Sequence, residues 1–153
     1  GTNDPYWTVD AIKHYINEIP GHNLLHYVPN AGHSLGDKIQ AFGALGAFFS
    51  LMLNNEALPV CEWSLTEKRR TIDLEVKATP DKLIGATLWT SRSDNSEIPL
   101  NPKNRSVVDV RLPYPKKGFQ AFYVDLIYKD PHGDEYSVST RTFTSDHKMV
   151  FVD

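Results

Sequence analysis

Residues 71–77, Thr71-Ile72-Asp73-Leu74-Glu75-Val76-Lys77, alternate strictly between polar and apolar side chains. Successive side chains of a β-strand point to opposite faces, so this run predicts a strand with one buried and one solvated face. Working outward, further runs of strand composition occupy 61–67, 83–92, 106–112, 119–129, 135–144 and 148–152. Turn-forming clusters separate them: Thr79-Pro80-Asp81, Ser93-Asp94-Asn95, Asn101-Pro102, Tyr114-Pro115-Lys116-Lys117-Gly118 and Asp130-Pro131-His132-Gly133-Asp134. Proline presets φ, glycine reaches positive φ, and Asp and Asn bond their own backbone, which is why such clusters end strands. Short strands with this punctuation and no helical period between them predict an all-β sandwich of immunoglobulin or fibronectin type over residues 59–153. Trp89 is then the candidate core tryptophan.

Before Pro59 the period changes. Over residues 8–19 the apolar positions Val9, Ile12, Ile16 and Ile19, with Tyr15 beside them, keep to one face at helical spacing, and Pro20-Gly21 ends the pattern. Residues 24–28, Leu24-Leu25-His26-Tyr27-Val28, have strand composition and close on Pro29-Asn30-Ala31-Gly32. A second helix is expected over 35–53, with Ser34 and Asp37 spaced as a capping box. Residues 41–53 carry no charge, and only Ser50 is polar, so that helix is apolar around nearly its whole circumference and needs a cover. The run is too short to cross a bilayer, for which ~18 to 20 residues are needed. One strand and two helices cannot bury it. The expectation is a separate body, a partner copy or an exposed apolar face.

Composition excludes several classes. The chain has 153 residues, 41% hydrophobic and 23% charged, the balance of a globular protein. Its formal net charge of −3 and scattered Lys and Arg give no basic stripe for nucleic acid and no charge patch for a membrane surface. A single cysteine, Cys61, rules out an internal disulfide framework and multi-cysteine metal clusters, and reads as a small buried side chain. The opening Gly1-Thr2-Asn3-Asp4-Pro5, without an initiator Met, reads as the interior of a longer polypeptide.

The order strand, loop, helix in the first third places Asp4 in one loop and His33 in the next. If the flanking strands are parallel neighbours, both loops emerge at one sheet edge, where open α/β folds put their ligands. A carboxylate bonded to one imidazole nitrogen fixes the ring's tautomer and orientation, so that the other nitrogen can serve as general base. Each residue also has a plainer reading: Asp4 before Pro5 as a turn former or helix cap, and His33 as a polar loop residue. His14, His22 and His26 form no recognisable metal set, and His132 and His147 read as turn and strand-edge residues. Asp130, Asp134 and Glu135 lack an EF-hand pattern and read as a solvated turn. Ser34, Ser50, Ser64 and Ser91 lie outside any Gly-x-Ser-x-Gly elbow, so no nucleophile is evident in these residues.

The strings Gly1-Thr2-Asn3-Asp4-Pro5-Tyr6-Trp7-Thr8-Val9-Asp10-Ala11 and Tyr27-Val28-Pro29-Asn30-Ala31-Gly32-His33-Ser34-Leu35 resemble the C-terminal part of the PhoPQ-activated pathogenicity-related family. The resemblance covers directly about residues 1–63 and implies an α/β-hydrolase-like body. Residues 1–58 would be its C-terminal segment, one strand and two helices, and 59–153 an accessory β-sandwich. It implies Asp4 as triad acid and His33 as triad base, with the serine outside these residues. It further implies a serine hydrolase acting on an ester or amide, inactive as this chain alone, secreted or periplasmic, needing no cofactor or metal. Its partners would be the remainder of the hydrolase body or an oligomeric copy, and a small-molecule or peptide substrate. The alternative is a non-catalytic secreted binding or signalling protein on the same fold.

Overall fold

A computed structural model describes residues 1–91, 93–98, 100 and 105–152. The strands are β1 (Cys61–Glu67), β2 (Thr71–Ala78), β3 (Leu83–Thr90), β4 (Ser93–Glu97), β5 (Val107–Pro113), β6 (Gln120–Lys129), β7 (Glu135–Ser139), β8 (Phe143–Ser145) and β9 (Val150–Phe151), and the α-helix α1 is Ile39–Leu53. The small sheet runs β1-β2-β5 and the large sheet β4-β3-β6-β8-β9, with β7 also on β6. All of these pairings are antiparallel. The two sheets face each other in a sandwich-like arrangement.

Alternation explains the core. On β2, Ile72, Leu74 and Val76 point inward, and their register partners on β5, Leu112, Val110 and Val108, do the same. On β6 the inward positions are Phe122, Val124, Leu126 and Tyr128. Phe143 stacks on Phe122, their ring centroids 5.5 Å apart, and meets Trp63 edge-on. Ala47 and Leu51 of α1 belong to the same buried cluster.

The α/β-hydrolase segment expected over residues 1–58 does not form; the described residues are mostly β, with one α-helix among them. The first predicted helix is reduced to the 3-10 turns Ala11–His14 and Ile16–Glu18, neither burying a residue. A short helix is held mainly by packing of its apolar face, and β-branched Ile12 and Ile16 add no propensity to replace it. Asp10, at the N-cap of the first 3-10 turn, makes no side-chain cap hydrogen bond; its carboxylate is bonded by the Thr144 hydroxyl and paired with Lys13. The predicted strand at 24–28 is a single antiparallel bridge, Leu25 to Ser139, which fastens this segment to the large sheet. There is no parallel pair at this point.

Helix α1 starts at Ile39, not at residue 35. Leu35, Gly36 and Lys38 have positive φ, and no capping box forms on Ser34; the Asp37 carboxylate accepts the Ile39 amide at 3.0 Å. Much of α1's apolar surface is open, with Phe42 66% and Leu53 85% exposed. No helix among the described residues is long and apolar enough to cross a membrane.

Three readings within the sheets also change. Ser93-Asp94-Asn95, predicted as a turn, lies within β4. The Asn101-Pro102 turn falls outside the described residues. The expected strand 135–144 splits into β7 and β8, because the Thr140 hydroxyl accepts the Val124 amide at 3.1 Å and interrupts the ladder. Trp89 lies on the outward face of β3, away from the core, and it is Trp63 that packs against the core.

That outward face of the large sheet carries a buried polar group, Asp125, 5% exposed. Its carboxylate accepts the Trp89 indole N–H at 2.8 Å and the Ser139 hydroxyl at 2.6 Å. Burial outweighs those hydrogen bonds and pushes the Asp125 carboxyl up to about 6. Between its ordinary 3.8 and about 6 the folded chain therefore holds a proton that the unfolded chain has released. The resulting stability is full below the lower value and is lost as pH rises through the upper one. Asp125→Asn should remove that dependence. In urea unfolding, the stability of the variant relative to the unaltered chain should rise by up to about 3 kcal/mol from pH 4 to pH 7; a difference that does not change with pH would contradict the assignment.

Candidate functional site

Residues 25–31 lie along the outward face of the large sheet. The Ser139 amide donates to the Leu25 carbonyl at 2.8 Å, and the Tyr27 amide donates to the Ser139 hydroxyl at 3.0 Å. The Tyr27 ring packs on Tyr123, and its hydroxyl donates to the Val9 carbonyl at 3.0 Å. Val28 and Ala31 are buried. The start of the chain is then laid against this segment. The Thr2 amide donates to Val28 and the Asn3 amide to Ala31, at 3.1 and 2.9 Å, and the Asn30 amide donates back to the Thr2 hydroxyl at 2.7 Å.

Gly1 is required by that approach. A Cβ there would stand 2.2 Å from the Ala31 carbonyl oxygen and 2.4 Å from that of Gly32, both backbone atoms. On the other side Asn30 takes φ 57°, a left-handed conformation that Asn tolerates better than most residues. Asp4 and His33 thus follow directly from two backbones locked together.

The structure brings the two together. The Asp4 carboxylate divides its work: Oδ1 accepts the Tyr6 amide at 2.8 Å and the Trp7 amide at 3.3 Å, forming an Asx turn, while Oδ2 lies 2.9 Å from His33 Nδ1. The turn-former reading and the acid reading of Asp4 are therefore both physically satisfied, one on each oxygen. Burial works to raise the Asp4 carboxyl, but the Tyr6 amide, His33 and the Trp7 amide outweigh it and hold the group below the usual carboxylate value. The Asp4 side chain is 11% exposed against 59% for His33. The Tyr6 ring meets the imidazole edge-on at 5.0 Å. His33 Nε2 has no hydrogen-bond partner among the described residues. The arrangement is an oriented imidazole with one nitrogen anchored on a charged carboxylate and the other available, the geometry of a general base.

The model of the PhoPQ-activated pathogenicity-related protein family matches residues 1–97. The chain belongs to that family. The match runs beyond both strings that carry the resemblance and through β1 to β4, so two strands of the small sheet, β1 and β2, and two of the large sheet, β3 and β4, lie within the matched residues. No curated protein matches this PhoPQ-related chain. A solved structure described as the crystal structure of a Br derivative of BhCBM56 covers 60% of the chain and 96% of its own, at 10% identity and a TM-score of 0.37, a similarity too slight to define a shared fold.

Other sequence candidates have structural occupations. The Asp130 carboxylate accepts the His132 and Asp134 amides and so shapes the β6–β7 turn. Burial, with Asp125 adding to it, pushes the Cys61 thiol up to about 12, leaving it protonated and unreactive. No group of three or more His, Cys, Asp or Glu side chains that could hold a metal occurs among the described residues. Two site residues escape sequence reasoning. Gly1 and Tyr6 both stand within the quoted family string, but the neighbours that give them a role, Ala31 and Gly32 for Gly1 and His33 for Tyr6, are remote in sequence.

In this PhoPQ-related chain the anchored His33 should show a definite tautomer. Ring nitrogen NMR on the neutral imidazole should find the proton on Nδ1, facing Asp4 Oδ2, and Asp4→Ala should shift it towards Nε2, the form usual for a free imidazole. An identical tautomer ratio in the two proteins would show that the carboxylate does not orient the ring.

Proposed function

We propose that Asp4 and His33 are the acid and base of a serine-hydrolase triad acting on an ester or amide, with the nucleophilic serine supplied by polypeptide outside these residues. The observation that carries this reading is the 2.9 Å contact between His33 Nδ1 and Asp4 Oδ2, with the opposite edge of the imidazole exposed. Family membership supports it.

In this mechanism His33 Nε2 takes the proton of the serine hydroxyl as its oxygen attacks the substrate carbonyl. The imidazolium so formed is stabilised by Asp4, which stays ionised because its hydrogen bonds hold its carboxyl low. His33 then delivers the proton to the leaving alcohol or amine, and the same nitrogen activates water to release the acyl group. Each step is proton transfer and acyl transfer, so the reaction calls on no cofactor. Export to the periplasm or beyond, and docking onto the polypeptide that carries the serine, belong to the same proposal.

The test is labelling of the serine-bearing polypeptide by an alkyl fluorophosphonate. His33→Ala should abolish labelling while leaving the circular dichroism unchanged, since the histidine is exposed and outside the core. Asp4→Asn should lower kcat by about 10⁴ with little change in KM, the cost of the wrong tautomer in such triads. Labelling that survives loss of His33 would instead leave the pair as a turn-stabilising element of a binding protein.

A further inference from the structure

A cleft of about 380 Å³ opens between the outward face of the large sheet and the start of α1, and neither Asp4 nor His33 lines it. Its floor is built by register: Thr87 pairs with Asp125 and Asp125 with Ser139, while Ile127 pairs with Ser137 in the adjacent row. Trp89 and Pro29 close one end, and Gln40 and Gly43 of α1 form the opposite wall. The size suits a small organic molecule.

The charge of this cleft is one-sided. Asp125 is on its floor and Glu135 on its wall, while no Lys or Arg among the described residues lines it. The two hydrogen bonds Asp125 receives come from neutral donors, an indole and a hydroxyl, and no cation pairs with it among the described residues. Each carboxylate oxygen has two acceptor positions, so both have capacity left. A buried carboxylate without a counter-charge is costly, and a bound cation would offset that cost where an anion or a neutral molecule could not. His26 supplies a further polar atom. Its Nε2 is buried without a partner, while Nδ1 meets the Ser137 hydroxyl at 3.1 Å. With the proton on Nδ1 donated to that hydroxyl, Nε2 is an acceptor. Burial lowers the His26 pKa, which keeps the ring neutral and unrepulsive to a cation. The Trp89 ring and the side chains of Ile127 and Pro29 add an aromatic and apolar surface.

We propose that this cleft binds a small organic ammonium ion, its charged nitrogen against the Asp125 carboxylate and its apolar part against Trp89, Ile127 and Pro29. The site is separate from the acid and base pair and stands whether or not that pair is catalytic.

Benzylamine, protonated near neutral pH, is a suitable probe, with benzyl alcohol and benzoate as its neutral and anionic counterparts. Titration at about pH 7, followed by the Trp89 indole N–H resonance and by calorimetry, should show saturable binding of benzylamine and at least about tenfold weaker binding of the other two. Asp125→Asn should lower the affinity for benzylamine at least about tenfold. Should that variant not fold, Gly43→Phe decides: a Cβ at Gly43 meets nothing within 4 Å, so the added ring enters open space at the cleft wall and should block binding without disturbing the fold. Absence of benzylamine binding up to about 10 mM, equal binding of the alcohol, or unchanged affinity in a folded variant at either position would overturn the proposal.

Discussion

Ser139 is the joint on which the first third of the chain hangs. Its amide donates to Leu25, its hydroxyl accepts from Tyr27 and donates to Asp125, so one residue ends β7 and satisfies groups on both sides of the junction. Thr140 follows at once, its hydroxyl taking the Val124 amide, which breaks β7 from β8. The interruption of the strand and the docking of residues 25–28 are thus one local event. A segment with almost no regular structure is held by a few directed hydrogen bonds against a sheet whose other face is a dry aliphatic and aromatic core.

Everything that places the acid beside the histidine follows from this joint. Residues 25–28 lie where Ser139 holds them, the Thr2 and Asn3 amides find Val28 and Ala31, and the absence of a side chain at Gly1 lets the two backbones close. Asp4 then has one oxygen for its own turn and one for His33. A carboxylate anchored by backbone amides is both low in pKa and fixed in direction, which a general-base histidine requires.

Strands were legible where alternation is strict. The runs 61–67 and 71–77 needed nothing beyond their own pattern, because a half-buried strand writes its two faces directly into the order of its residues. The helical reading of 8–19 failed because periodicity records which face could be buried and not whether a surface meets it, and no residue of Ala11–His14 or Ile16–Glu18 is buried. The break at Thr140 was hidden because a hydroxyl that competes with the ladder looks like any β-favouring threonine. At the site, Asp4 and His33 were visible as a chemically apt pair in loops. The reason they meet was not, since the contacts joining residues 1–3 to 28–31 are backbone bonds that leave no mark on side-chain identity.

Native-state hydrogen exchange on the unaltered chain and on Ser139→Ala tests this dependence most directly. Removing the hydroxyl deletes the acceptor of the Tyr27 amide and the donor to Asp125. Protection should fall at Tyr27 and, with it, at Thr2 and Asn3, whose amides are bonded to the segment that Ser139 holds, while the amides of Leu74 and Val110 in the small sheet keep theirs. Retention of full protection at Asn3 in a variant that has lost it at Tyr27 would show that the loops carrying Asp4 and His33 are fixed to each other without the joint at Ser139.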